Sequence, residues 1–378
     1  MSGFLRSYTG RMEWRSLPWP LLVGALSLNG VGAAFIWSTV SFGMAAMHMA
    51  SGLVGAAIFL VVGLFDYRRL SGLTFVLYLL GLVALVGVWS PLGITINNAR
   101  RWYDFGLFHL QPSEPVKVLL VLALADYFQL RRRWDDLRGL APPILMTAAP
   151  MLLIAAQPDV GTALVLAPLF AGLAFLGGVR VRNLALLAAA GLALVALVWF
   201  TPGALKPYQK RRVVGFVRPE AVPDSAAAYN AEQATRAIAD GGKQGTGWGK
   251  GHLNRLRRLP ERHTDFIFPV IAEEWGFVRT APVVLLYVLM TVYLGVLASR
   301  TADPFGRLII GGIMLLFGFQ GFLNMAIALR LAPITGLTLP LVSWGRSSLM
   351  STYFAFGLVT AVCTHPTALL TAEEPRRH

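Results

Sequence analysis

An all-α polytopic membrane protein with about ten transmembrane helices is the fold class this sequence predicts, and three observations predict it. Hydrophobic residues fill 56% of the 378 positions and charged residues only 14%, against roughly 25% charged in a soluble domain. A soluble globule could not hide so much apolar surface behind so few charges, and the mean hydropathy of +0.60 agrees. The apolar residues also gather into runs near the ~20 residues that a helix needs to cross the hydrocarbon core. The single cysteine, Cys363, excludes an intrachain disulfide, a cysteine-rich zinc site and an iron–sulfur cage. A net charge of +14 would suggest nucleic acid for a soluble chain. In a bilayer it points to anionic head groups or an anionic substrate.

Taken in order, the runs predict spans over residues 19–40, 45–65, 71–90, 115–130, 141–156, 159–178, 183–201, 281–298, 307–328 and 346–364. The fourth and fifth are short, which predicts tilt or burial within the bundle. Arg6, Arg11 and Arg15 precede the first span without a small-residue cleavage site, so the segment reads as a retained cytoplasmic tail. With the N-terminus inside, the inner loops hold Arg68 and Arg69, Arg131 to Arg133 with Arg138, Arg180 with Arg182, and Arg300 with Arg307. Arg376 and Arg377 add to the inner tail, and the short outer loops between spans one and two, five and six, and nine and ten carry few charges by comparison. The positive-inside rule thus predicts that both termini are cytoplasmic. The chain reads as a single integral membrane domain over 1–378, with one large polar loop over 202–280, outside the membrane between spans seven and eight. That loop holds thirteen Lys and Arg against eight Asp and Glu. Long loops are largely exempt from the charge rule and are usually functional.

Chemistry concentrates in that loop and at the outer ends of spans. From Asp240 to Gly251, six glycines fall in twelve positions; such a run can present amides to phosphate or serve as a flexible hinge. Arg255, Arg257, Arg258 and Arg262 follow, then His263-Thr264-Asp265. The segment from Phe266 to Trp275 mixes rings with Glu273 and Glu274, and reads as lying in the membrane interface. Between basic cluster and anchor, Asp265 could accept a proton from a sugar hydroxyl while the cations hold a pyrophosphate, or it could form a salt bridge that fixes the loop. Gln111-Pro-Ser-Glu114 opens span four with Lys117 on the same helical face, and Gln157-Pro-Asp159 opens span six. Ser113 and Asp159 suit N-caps. Glu114 and Lys117 form either a structural pair or a polar cavity entrance open to an anionic head group. No Walker loop, dinucleotide fingerprint or Gly-x-Ser-x-Gly elbow is present, and the six histidines show no metal-ligand spacing.

The ordered set Arg101-Trp102, Gln111-Pro-Ser-Glu114 with Lys117, Gln157-Pro-Asp159 with Gly161-Thr162, the Gly-rich loop, and His263 to Phe268 with Glu273-Glu274 resembles the SEDS proteins. Pro333 to Gly336, Leu339-Pro340 and Ser343-Trp-Gly-Arg-Ser-Ser348 extend the resemblance over nearly the whole chain. Gln157 to Ala163 and Gly247 to Gly251 place it nearer the elongation-phase RodA branch than the FtsW branch.

The resemblance implies a ten-span peptidoglycan glycosyltransferase of the bacterial cytoplasmic membrane. Such an enzyme polymerises lipid II beside a class B penicillin-binding protein, within a complex of elongation membrane proteins. The family's essential loop aspartate falls on Asp265. The implied substrate contacts on the spans are Arg101, Trp102, Gln111, Glu114, Lys117 and Asp159. Those on the large loop and the last outer segment are Arg212, Gln233, Arg258, His263, Thr264, Glu274, Ser343 and Ser347. No organic cofactor is implied; a divalent cation, Mg or Mn, is compatible with pyrophosphate chemistry. Two departures stand out: Trp344 and Arg346 replace Tyr and the second Gly of the usual Ser-Tyr-Gly-Gly-Ser-Ser, and Arg330 stands where a small residue is common. A lipid II flippase and a non-catalytic scaffold for the cross-linking enzyme are the rival readings. The intramembrane charges favour the first rival, while an outer aspartate between arginines and the lack of a clear inverted repeat count against it; the scaffold reading leaves the buried charges and the polar loop without a role.

Overall fold

The computed structural model describes residues 16–96, 99–106, 108–130, 137–202, 210, 214–218, 226–252 and 261–365. The helices are α1 (Trp19–Thr39), α2 (Phe42–Gly63), α3 (Thr74–Gly87), α4 (Ser113–Phe128), α5 (Ala141–Ala156), α6 (Val160–Leu176), α7 (Val181–Phe200), α8 (Ala226–Gly241), α9 (Ile267–Arg300), α10 (Pro304–Ala328) and α11 (Arg346–Thr364). A small antiparallel sheet lies between α3 and α4: β1 (Gly93–Ile96), β2 (Ala99–Asp104) and β3 (His109–Leu110).

All the expected spans fall on helices, and among the described residues seven helices are long and apolar enough to cross a membrane. A 3₁₀ turn at Leu137–Leu140 extends the fifth to Arg138–Ala156. Helices α3 and α6 are shorter than their apolar runs suggested. The run behind α3 turns into the approach to β1, and α6 stops at Gly177-Gly178, where Gly178 takes φ +89°. Helix α4 has 16 residues and buries Glu114 and Lys117, in keeping with a short, interior element.

The sheet was not anticipated, because its strands are short and only β1, Gly-Ile-Thr-Ile, alternates cleanly. Ile94 pairs with Trp102 and Thr95 with Arg100, with a bulge between Ile94 and Thr95. Tyr103 donates to the Ala84 carbonyl at 2.6 Å and Arg100 to that of Ser90 at 2.7 Å, which pins the sheet to the end of α3.

The segment expected at the membrane interface is instead interior. Helix α9 begins at Ile267, and Ile267, Phe268, Val270, Ile271, Glu273 and Glu274 are all buried. Gly276 breaks the helix with φ +68° and ψ 179°, so the chain turns before the apolar span proper. The Gly-rich run satisfies the backbone groups that the break releases. Thr246 and Gly247 amides donate to the Glu273 and Glu274 carbonyls at 2.9 and 3.0 Å. Phe277 and Val278 amides donate to Gly242 and Lys243 at 2.9 and 3.1 Å.

Packing uses small residues, as expected where lipid removes the hydrophobic drive between helices. Helix α2 lies along α11 with Gly55 against the Tyr353 ring and Gly357 against Val62. Helix α7 is different: Asn183 is its only buried residue. Polar side chains collect at two opposite ends. At one, Tyr67 donates to Asp303 at 2.9 Å, Arg68 to the His365 carbonyl at 2.8 Å, and Ser71 and Thr74 to Asp126 at 2.7 Å. Burial and the Asp303 charge push the Tyr67 hydroxyl up to about 12. The other end holds the sheet, the turn at 261–266 and the segment at 331–345.

Candidate functional site

A cavity of about 800 Å³ opens at that second end, within the size range of small-molecule sites. The sheet brings Arg101, Trp102 and His109 to it, and the start of α4 brings Gln111 and Glu114. Pro158 and Thr162 come from the start of α6. Opposite stand Glu261, His263, Thr264 and Asp265, with the segments at 335–338 and 344–348 completing the wall.

Asp265 is half-buried at the last turn before α9, and the backbone of that turn is held from several sides. Asn324 of α10 donates to the Asp265 carbonyl at 3.0 Å and to that of Leu337 at 2.6 Å. The Ser343 hydroxyl donates to the Thr264 carbonyl at 2.5 Å and accepts from the Leu339 amide at 2.8 Å. The Trp344 amide donates to the His263 carbonyl at 2.8 Å. Gly336, at φ +74°, leaves the aspartate room, since a Cβ there would sit 3.2 Å from Asp265 Oδ2. Burial pushes the His263 imidazole below its ordinary value of 6.5; Glu261 opposes the shift and Arg262 reinforces it. A neutral ring therefore faces the cavity at neutral pH. Thr264 donates to Glu261 Oε2 at 2.9 Å, and Arg262 is anchored on the Thr39 carbonyl at the end of α1 at 2.8 Å.

The expected contacts divide into groups. Arg101, Trp102, Gln111, Glu114, His263, Thr264 and Asp265 meet in the cavity wall. Lys117 lies beneath it, 2% exposed, donating to Glu114 Oε1 at 2.9 Å and Gln320 Oε1 at 2.8 Å. Asp159 is equally buried and supports two wall residues. It accepts from Gln111 Nε2 at 2.8 Å, faces Arg101 at 3.5 Å and caps α6 through the Thr162 amide at 3.3 Å. Ser347 accepts from the Gln111 amide and donates to the His109 carbonyl, both at 2.9 Å, so it joins α11 to the sheet.

Two expected contacts stand elsewhere. Glu274, on α9, is fully buried, accepting from Ser38 Oγ at 2.6 and 2.7 Å and from the Gly249 amide at 2.9 Å. Gln233 is buried in α8. Arg212 and Arg258, like Arg255 and Arg257, lie outside the described residues. The cradle reading of the glycine run does not hold for Thr246, Gly247 and Gly249, whose amides are committed to α9.

Several wall and support residues were not anticipated. Thr338 lines the cavity beside Trp344, Arg346 and Ser348, which the sequence had singled out in its closing motif, while Gln320 and Asn324 reach under it from α10. Gln320 Nε2 donates to the Thr338 carbonyl at 3.1 Å, which ties the buried Glu114–Lys117 pair to the opposite wall. The signal for these two was present: polar residues four apart, on one face of an apolar helix.

The chain matches a family model described as cell cycle protein, FtsW, RodA and SpoVE, over residues 22–368. It is 33% identical over 347 residues to the peptidoglycan glycosyltransferase MrdB of Escherichia coli K12, covering 91% of this chain and 93% of that one. To a probable peptidoglycan glycosyltransferase FtsW of Alkalilimnicola ehrlichii it is 34% identical over 392 aligned positions, covering 97% and 94%. A solved chain from a peptidoglycan synthase complex that coordinates polymerization and crosslinking superimposes with a TM-score of 0.80 at 32% identity, covering 93% and 98%. The crystal structure of the rod shape determining protein RodA of Thermus thermophilus gives 0.69 at 29%, covering 93% and 97%.

Proposed function

We infer that the chain, which belongs to the family of FtsW, RodA and SpoVE cell cycle proteins, polymerises lipid II in the cavity beside Asp265. It is a peptidoglycan glycosyltransferase and a multi-pass membrane protein. The observation that carries the inference is the Asp265 carboxylate, in the wall of a substrate-sized cavity on a turn whose carbonyls at His263, Thr264 and Asp265 accept from Trp344, Ser343 and Asn324. In this reading Asp265 takes the proton of the GlcNAc 4-hydroxyl on an incoming lipid II. The oxygen attacks the anomeric carbon of the growing chain's MurNAc. The bond from that carbon to the pyrophosphate oxygen breaks, and undecaprenyl pyrophosphate leaves with the electron pair. Attack from the opposite face inverts an α-linked donor to a β-1,4 product. Arg101, fixed by Asp159, supplies positive charge near the leaving group. Among the described residues no three His, Cys, Asp or Glu side chains gather to hold a metal ion, whereas a divalent cation carried by the pyrophosphate needs only one or two carboxylates; no step here is routed through one.

The same reading places ten spans across the bacterial cytoplasmic membrane, both termini in the cytoplasm and the cavity on the outer side. Two polar ends of the bundle and the basic inner loops support it. It also pairs the chain with a class B penicillin-binding protein and other elongation-complex membrane proteins, supported by the solved synthase complex. Purified protein incubated with lipid II, with and without that partner, should yield a ladder of glycan chains that Asp265→Ala abolishes without loss of folding. A wild-type ladder from Asp265→Ala would overturn the base assignment. No ladder from wild-type protein, partner included, would overturn the polymerase reading.

A further inference from the structure

Among the described residues two guanidinium groups line the cavity, and they are held differently. Arg101 stands on the buried Asp159 carboxylate at 3.5 Å. Arg346 opens α11 and lies over the Trp344 ring, with its guanidinium carbon 5.6 Å from the ring centroid. Trp344 is itself a wall residue. Its other neighbour is the His48 ring, at 6.2 Å, and its amide donates to the His263 carbonyl at 2.8 Å, two residues before Asp265. Tryptophan is the strongest aromatic partner for a cation, and a stacked guanidinium loses less freedom when it meets a ligand. The guanidinium remains charged at all working pH values and offers its donors as a planar fork that suits phosphate oxygens. No side chain caps the first turn of α11, whose start at Gly345 and Arg346 lies in the same wall, so its partial positive charge adds to that of the arginine.

We propose that Arg346 binds the pyrophosphate of the lipid-linked sugar and that Trp344 positions it for that contact. This rests on the polymerase reading for the identity of the ligand, but not for the existence of the anion subsite. The pair also explains the departure at this motif. Trp344 and Arg346 change together relative to the usual Tyr and Gly, and the structure shows them in contact. Because Trp344 hydrogen-bonds the backbone of the Asp265 turn, the anion contact and the proposed base belong to one rigid segment.

The test uses the full-length protein and two readouts. The first is binding of inorganic pyrophosphate by calorimetry, which needs no turnover. The second is steady-state polymerisation of lipid II. Arg346→Gln should weaken pyrophosphate binding and raise KM for lipid II by about tenfold each, the scale of one charge-assisted contact, with a smaller change in kcat. Arg346→Lys keeps the charge without the stacked fork, so it should fall between the two. It also substitutes for the glutamine variant should that one fail to fold. Trp344→Leu should shift KM in the same direction. Equal pyrophosphate binding by wild-type protein and Arg346→Gln, or none by either, would overturn the proposal. Arg346-dependent pyrophosphate binding in a wild-type protein that makes no glycan would uphold the subsite and sink the polymerase reading alone.

Discussion

Lys117 shows most directly what a buried charge does here. Its ammonium is 2% exposed and held by Glu114 and Gln320 at 2.9 and 2.8 Å. Removing one partner of a buried ion pair leaves an uncompensated charge and costs about 3–5 kcal/mol, whereas removing both is often close to neutral. Lys117→Met should therefore destabilise the protein by about that amount in detergent melts, and Lys117→Met with Glu114→Gln should recover most of the loss. If the double variant melts no higher than the single one, the pair is not the structural unit described. The three-residue spacing made the pair legible in the sequence, but Gln320, 203 residues further on, was not. Asp159 was legible as a cap. Its office as the support of Arg101 and Gln111 required the fold, because the sheet that carries Arg101 left almost no pattern.

At the scale of elements, composition and length located the helices well and their ends poorly. The apolar run shows where a helix must be. It is backbone chemistry elsewhere that decides where it stops, as with the glycine run that makes the break at Gly276 tolerable. One helix end is informative by itself. After α10, Arg330 takes φ +59°. Its amide donates to Ile327 at 3.1 Å, and that of Leu331 to Ala326 at 2.8 Å, the two bonds of a Schellman cap. A left-handed conformation costs a non-glycine residue roughly 1–2 kcal/mol, which gives the preference for a small residue at this position a physical cause. Arg330→Gly should stabilise the protein by about 1 kcal/mol in denaturant unfolding. Arg330→Ala keeps the backbone penalty and should change little. A gain of the same size from alanine would mean that the arginine side chain, not the backbone, is at issue.

For the molecule as a whole, the separation of polar groups into two ends is the property that the sequence foretold through its arginines. One end holds the Tyr67–Asp303 and Thr74–Asp126 contacts, with Arg68 over the Tyr67 ring. At the other, the cavity carries three carboxylates, Glu114, Glu261 and Asp265, beside its two arginines. Orientation matters because a lipid-linked sugar delivered outside the cell can reach the cavity only if that end faces outward. Asp104, at the tip of β2, and Arg69, beyond α2, are both exposed and lie at opposite ends. In a Cys363→Ser background, a cysteine at Asp104 should react with a membrane-impermeant maleimide in right-side-out vesicles. A cysteine at Arg69 should react only in inverted ones. The reverse pattern would put the cavity in the cytoplasm, where Asp265 could not meet an externalised substrate, and the polymerase reading would fall with the topology.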